Sequence, residues 1–263
     1  MKTTFISLKS CFALSALCLA TPLTHAQFAA STGFDYTSGK YGLSTETKLS
    51  TWNITGEYNY EAWTARVVVP HERVSGPAGI IVVSGHPRLQ KLLNAKNEGK
   101  TETETGLGDI ELFATYDFSH RSQSDWNVAL TGSVKLPSAD EDKGLGTGKT
   151  DYSLALDLSR LIGRFTPSIG FGYRFIGNPS GADLRNYFYA SVGGGYWITD
   201  DTNLNLTFES DQPSSASSNV DNELSLGLNH HVGKAWDLEA HLLAGLSESA
   251  PDFGAGVSVR YMF

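Results

Sequence analysis

The chain has 263 residues, of which 40% are hydrophobic and 18% are charged. These proportions exclude a disordered or collagen-like chain and predict a packed or membrane-embedded body. The formal net charge is −8, so the chain lacks the basic surface that binds phosphate backbones, and we expect no nucleic-acid partner. The 27 glycines and the 11% of aromatic residues favour β-structure over a helix bundle.

Residues 1–26 have the pattern of a cleaved signal peptide. Lys2 and Lys9 give a positive start, residues 11–20 form an apolar core, and small residues end the segment. The apolar core is about half of the ~20 residues that a membrane-spanning helix needs. Both cysteines lie inside this leader, so the expected mature chain, 27–263, has no disulfide and a net charge of −10.

Apolar side chains recur at every second position through most of the mature chain, which predicts β-strands with one apolar face. The alternation is weak in the first strand and clear in the others. Twelve strands are predicted, around 34–36, 52–60, 63–69, 110–118, 126–130, 152–158, 169–175, 188–192, 204–208, 224–228, 236–246 and 253–263.

The connections alternate between tight turns and long polar loops, of which 71–106 is the longest. This alternation is typical of outer-membrane barrels, with turns in the periplasm and loops outside. We therefore predict an all-β fold, a transmembrane antiparallel up-and-down β-barrel of about 12 strands and outer-membrane type, over 27–263. A soluble β-sandwich also alternates, but here the polar positions are rich in glycine and carboxylates, and aromatics gather at strand ends.

The last strand ends on an aromatic residue. Tyr261 and Phe263 continue the apolar alternation to the final position. A terminal aromatic residue on such a strand resembles the signal that the bacterial barrel-assembly machinery reads, so this machinery is an expected partner. The other expected partners are outer-membrane lipid and lipopolysaccharide.

Several segments resemble a known family of outer-membrane transporter barrels. They are GLGDIELFATYDF, KLPSADEDKGLGTGKTDYSLALDL, TPSIGFGYRFIG and the closing GLSESAPDFGAGVSVRYMF. The family is labelled putative MetA-pathway of phenol degradation. The resemblance implies a single-chain barrel that passes small solutes, aromatic or hydrophobic ones among them, and it transfers no catalytic residues.

Other motifs do not support a cofactor, a metal or an enzyme. Lys143 stands where a phosphate-binding loop needs its first glycine. The acidic run 140–142 lacks the turn glycine of an EF-hand, because Leu145 occupies that position. The histidines are scattered, without metal-ligand spacing. A solute channel is the leading interpretation, and an outer-membrane enzyme of lipase or protease type and a structural or adhesive barrel are the alternatives.

The loop 71–106 carries more apolar residues than a solvated loop needs. Ile80 and Ile81 belong to an apolar run, and Leu89, Leu92 and Leu93 follow at helical spacing. Two interpretations stay open: a constriction inside the barrel mouth, or a cap that packs on neighbouring loops.

The polar positions carry charges that hairpin arithmetic brings together, because opposed residues in an antiparallel pair have a constant sum of positions. The predicted lumen pairs are Glu57 with Arg66, Asp109 with Lys135, Asp151 with Arg174, and Glu239 with Arg260. The acids left unpaired are Glu111, Asp117, Asp157, Glu209, Glu223 and Asp237. This excess predicts a lumen of negative potential and a mildly cation-selective pore. The sequence leaves open whether the barrels form oligomers.

Overall fold

The computed structural model describes residues 27–83, 86–88, 100–120, 122, 124–179, 183–215 and 218–263. The predicted signal peptide and three of the predicted constriction residues, Leu89, Leu92 and Leu93, lie outside these ranges. No helix in the part of the chain that the structure describes is long and apolar enough to span a membrane.

The described chain folds into fifteen strands. They are β1 (Gln27–Gly39), β2 (Thr47–Tyr60), β3 (Trp63–Pro77), β4 (Ile81–Val83), β5 (His86–Arg88), β6 (Thr101–Leu107), β7 (Glu111–Asp117), β8 (Trp126–Lys135), β9 (Asp151–Arg160), β10 (Phe165–Phe175), β11 (Tyr187–Trp197), β12 (Thr202–Asp211), β13 (Asp221–Val232), β14 (Trp236–Gly245) and β15 (Phe253–Met262).

All strands except β4 and β5 belong to one antiparallel sheet, in which each strand pairs with its neighbours in the chain. The sheet closes because β1 also pairs with β15, from Ala29 opposite Met262 to Ser38 opposite Phe253. Strands β6 and β7 both pair with β3 and form the upper and lower parts of one barrel strand. Of the thirteen strands in the sheet, two thus share one place, and the predicted 12-stranded barrel is confirmed.

The two faces of the barrel wall differ in polarity, as the alternation predicts. Trp52 and Val257 point outward and are 54% and 59% exposed, whereas Asp35 and Arg260 point inward and are 7% and 3% exposed. An apolar exterior and a polar interior are the arrangement that a lipid bilayer requires of a barrel.

Short turns and long loops lie at opposite ends, which we call the turn end and the loop end. At the turn end, aromatic rings touch one another around the outside. Trp63 and Tyr116 have ring centroids 4.9 Å apart, and Tyr261 lies 4.7 Å from Trp236 and 4.9 Å from Phe263. Such a girdle is typical of a membrane–water interface.

The long loop is shorter than predicted. Strand β3 continues to Pro77 and β6 begins at Thr101, so that His71 and Gly106, the predicted limits, lie within paired strands. The outward side chains of these extensions are polar, and Thr103 donates a hydrogen bond to Ser75 at 2.9 Å. Where strands extend beyond the lipid, their outer face need not be apolar, because backbone hydrogen bonds alone continue the pairing. The apolar alternation in the sequence therefore ends before the strands do.

Candidate functional site: the barrel interior and its mouth

The predicted lumen charges do point inward. Buried members of the set are Glu57, Arg66, Asp109, Glu111, Lys135, Asp151, Asp157, Arg174, Glu209, Glu223 and Arg260. Asp117, Asp237 and Glu239 are half-buried on the same face. The parity that the sequence assigned to the lumen is therefore the parity that the fold turns inward.

Glu57 lies directly opposite Arg66 across the β2–β3 hairpin, in the register that the tight turn predicts. Arg66 places its guanidinium 4.4 Å from the centroid of the Phe113 ring. Glu57 accepts a hydrogen bond from Arg260 at 2.5 Å. One carboxylate thus lies between two cations from strands far apart in sequence.

The predicted pair of Asp109 and Lys135 is in contact, but the two residues do not lie directly opposite each other. Lys135 lies opposite Glu111, two positions from Asp109. Its ammonium group nevertheless reaches Asp109 at 2.5 Å and Asp151 at 3.4 Å. Asp109 can turn inward there because the barrel strand is interrupted between β6 and β7.

Two other predicted pairs are wrong by two residues. Ser153, not Asp151, lies opposite Arg174, because the β9–β10 turn closes at the bridge between Ile162 and Phe165. A shift of two keeps the same face of the sheet, so the lumen assignment survives the error.

On the last hairpin, Asp237, not Glu239, lies opposite Arg260. The connection before β15 contains a turn in which the amide of Ala250 donates to the carbonyl of Ser247. The hairpin is therefore centred one residue earlier in the chain than the simple arithmetic assumes, which moves the residue opposite Arg260 by two positions.

The predicted unpaired acids have partners, which corrects that prediction. Glu111 faces Lys135, and Asp237 accepts from Arg260 at 3.0 Å and contacts His231. Asp117 accepts from the amide of Ser119 at 2.8 Å. Asp157, Glu209 and Glu223 also take part in polar or electrostatic contacts.

Two rungs of like charge cross β12 and β13 at the loop end, and neither rung was predicted as a pair. Glu209 lies directly opposite Glu223, and Asp211 directly opposite Asp221. All four side chains are at most 8% exposed. Applying the same arithmetic to the connection 211–220 would have found both rungs, which we call the acid rungs.

Tyr41, in the loop between β1 and β2, lies beside the acid rungs. Burial raises the pKa of its phenol above the ordinary value, and the carboxylates of Glu223, Asp221 and Asp252 raise this pKa further. The loop therefore brings an aromatic ring next to the acidic part of the wall.

An apolar segment, residues 80–83, crosses the barrel mouth, and we call it the plug segment. Ile80 and Val82 pack with Leu49 of β2, Val74 of β3 and Leu145. Val83 belongs to a second cluster, whose other members lie on β9 and β11 or in the segment between β10 and β11. They are Ala155, Ile176, Leu184, Tyr187 and Tyr189, and Ile81 packs against this cluster. The described part of the loop thus contacts the inner wall on two sides.

A second loop, 138–149, holds the plug segment from one side. The amide of Val82 donates to the carbonyl of Gly144 at 2.8 Å. Asp109 anchors this loop by accepting from the amide of Ala139 at 3.0 Å, and Lys135 donates to Thr147 at 3.2 Å. The plug segment, the loop and the strand interruption form one connected unit.

The acidic run in that loop caps the backbone. Asp140 accepts from the amides of Asp142 and Lys143 at 3.1 and 3.3 Å. Among the described residues, no group of three or more His, Cys, Asp or Glu side chains could hold a metal ion.

Further from the mouth, the inner wall beside β1–β3 and β14–β15 encloses a small polar cavity. The cavity has a volume of about 30 Å³, enough for ordered water. Charged and polar residues line it, among them Asp35, Glu57, Arg66, Glu239, His241 and Arg260.

At the turn end, the C-terminus completes the girdle. The amide of Phe263 donates to the carbonyl of Phe28 at 2.9 Å, and the Phe263 side chain is 75% exposed. This exposure leaves the terminal ring accessible on the outside of the barrel.

The sequence matches the model of one protein family, described as Putative MetA-pathway of phenol degradation, over residues 35–263. No curated protein matches it significantly.

Three solved structures illustrate the likeness of the fold. The COG4313 outer membrane channel from Pseudomonas putida F1 has a TM-score of 0.69 and 13% identity, over 92% of this chain and 97% of that one. The NanC porin has a TM-score of 0.55 and 12% identity, over 88% and 98%. The β domain of the Bordetella autotransporter BrkA has a TM-score of 0.52 and 10% identity, over 90% and 98%. The fold is that of bacterial outer-membrane barrels, which a channel, a porin and an autotransporter domain share.

Proposed function

The chain belongs to the family described as Putative MetA-pathway of phenol degradation, and from this premise we propose that it is an outer-membrane channel for passive uptake of small solutes. The observation that carries the proposal is the composition of the interior. Charged and polar side chains line the wall from the acid rungs at the loop end to Asp237 and His231 at the turn end. A barrel that served only as an adhesive scaffold needs no such lining.

The plug segment supplies the constriction of this channel. It lies where a solute entering from outside meets the barrel, and its contacts are apolar on both sides. Apolar burial in the two clusters and the backbone hydrogen bond from Val82 to Gly144 hold it in place. The apolar surface that the plug segment covers would favour aromatic or hydrophobic solutes in transit.

Planar-bilayer recording tests the proposal directly. We expect the purified protein to give small, discrete conductance steps, because the plug segment packs against the inner wall on two sides. Deletion of residues 80–94 should raise the step size, since it removes the plug segment. Liposome swelling with small aromatics and sugars then ranks the solutes.

Controls separate this function from its alternatives. Absence of conductance from both forms, with correct folding by heat-modifiable migration, would reject the channel. An unchanged conductance after the deletion would assign the loop to an outer cap. Lipase and protease assays on the same sample should give no activity, as we propose no enzymatic role.

A further inference from the structure

The acid rungs place four carboxylates where a β-sheet ordinarily avoids them. Like charges that lie directly opposite each other destabilise an antiparallel pair. Here Glu209 faces Glu223, Asp211 faces Asp221, and the two pairs follow one another on the same face of β12 and β13. Such an arrangement is best maintained when positive charge comes close to it.

Asp221 supplies a second, independent observation. Its side chain is 3% exposed, and its Oδ1 atom has no hydrogen-bond partner among the described residues. A buried carboxylate oxygen without a donor is costly. Because the described residues form no metal-holding group, the missing partner is better matched by a cation that donates hydrogen bonds than by a chelated metal.

Aromatic and apolar side chains border the acid rungs on both sides. Tyr189 lies directly opposite Asp211 on the neighbouring strand, and its cluster partners include Tyr187, Ala155 and Val83. On the other side Tyr41 lies within electrostatic reach of Asp221. Carboxylates next to aromatic rings are a favourable environment for an organic cation.

The protein itself places a cation in part of this environment. The guanidinium of Arg174 lies 6.0 Å from the centroid of the Tyr187 ring and within electrostatic reach of Asp211. Asp221 is one strand further from Arg174 than Asp211 is. The wall thus holds a guanidinium at one edge of the acid rungs and an unpartnered carboxylate oxygen at the other.

We propose that the barrel mouth binds a small organic ammonium ion with a compact aromatic or apolar group. The ammonium group donates to Asp221 within the acid rungs, and the apolar group packs on the ring of Tyr189, in the cluster that also contains Val83. The ligand therefore competes with the plug segment. This proposal depends on the proposed function in one respect: a solute must be able to reach the barrel mouth from outside.

Binding to the detergent-solubilised barrel, measured by calorimetry, tests this site without any need for transport. The probes are benzylammonium, benzyl alcohol and benzoate, which share a ring and differ in charge. We expect benzylammonium to bind most tightly, and Asp221→Asn to weaken it by about tenfold, the effect of one charge-assisted hydrogen bond. Binding of benzyl alcohol should be the same in parent and variant.

Asp183→Asn is the matched control, because Asp183 carries the same charge at the loop end but its side chain is 66% exposed. It should leave benzylammonium binding unchanged. Equal binding of all three probes, or no effect of Asp221→Asn in a protein with normal heat-modifiable migration, would overturn the proposal.

A measurement on the unaltered protein removes any dependence on the folding of the variant. Benzyltrimethylammonium keeps the charge and the ring but has no N–H donor, so it should bind more weakly than benzylammonium. Equal affinity would overturn the hydrogen bond to Asp221. If benzylammonium binds while no conductance is seen, the channel function fails and the binding site stands.

Discussion

Arg260 on the last strand donates a hydrogen bond to Glu57 on the second strand, 203 positions earlier in the chain. It also donates to Asp237 on β14 at 3.0 Å. These contacts cross the seam where β15 meets β1 and closes the barrel. The first and last hairpins are thus joined by a buried ion-pair network as well as by backbone pairing.

Replacing Arg260 should destabilise the closed barrel. Arg260→Met removes the cation and leaves Glu57 and Asp237 on the interior wall without it, a loss of about 3–5 kcal/mol for a buried pair. The measurement is the urea midpoint of heat-modifiable migration in detergent.

Arg185→Met is the control, because Arg185 and its partner Asp183 have side chains 57% and 66% exposed. An exposed pair contributes little, so the midpoint should scarcely move. Equal midpoints for both variants would mean that the seam does not depend on Arg260.

The plug segment should respond to a methyl group added at Gly144. A Cβ there would clash with the carbonyl oxygen of Ile80, so Gly144→Ala must displace the plug segment or the loop that holds it. We expect a larger or more frequently open conductance in planar bilayers.

Gly163→Ala is a matched control for backbone strain. Both glycines have positive φ, 69° and 61°, but a Cβ on Gly163 meets nothing within 4 Å. Its conductance should equal that of the parent. The same conductance change in both variants would trace the effect to strain instead of to the plug segment.

The sequence predicted faces of strands better than their register. Because side chains alternate between the two faces of a strand, an apolar face on one parity assigns every residue to the outside or the inside. Trp52 lies outside and Arg260 inside, as this alternation predicts. Register depends on turn geometry, which side-chain pattern does not encode. Asp151 and Arg174 were therefore misaligned by two residues while their faces were right.

The interior contacts of loops were the least predictable feature. The apolar run at Ile80 indicated that the loop must pack on something, but both a mouth and a cap satisfy that requirement. Only the fold brings Val83 against Ala155 and Tyr189. The interruption of the strand at Asp109 has no clear signal in the apolar alternation, because β6 on its N-terminal side carries mostly polar side chains.

Deleting Phe263 should impair insertion into the outer membrane and leave export intact. The exposed terminal ring ends the girdle next to Tyr261, and we expect the assembly machinery to read it there. The measurement is the heat-modifiable fraction in purified membranes, with total periplasmic protein as the export control. Phe263→Tyr keeps an aromatic end and should insert normally. Normal insertion of the deletion variant would contradict the prediction.

The pore should prefer cations, because acids outnumber bases on its wall. Among the residues that the structure describes, eleven Asp and Glu side chains are buried on the inner face against four of Lys and Arg. Fixed negative charge along a narrow path raises the local concentration of cations. In a gradient of potassium chloride the reversal potential should therefore indicate a permeability ratio of K⁺ to Cl⁻ above one.

Glu223→Lys should lower that ratio, since Glu223 lines the mouth, whereas Asp183→Lys on the exposed loop should change it little. A preference for chloride in the parent protein would contradict the electrostatic argument.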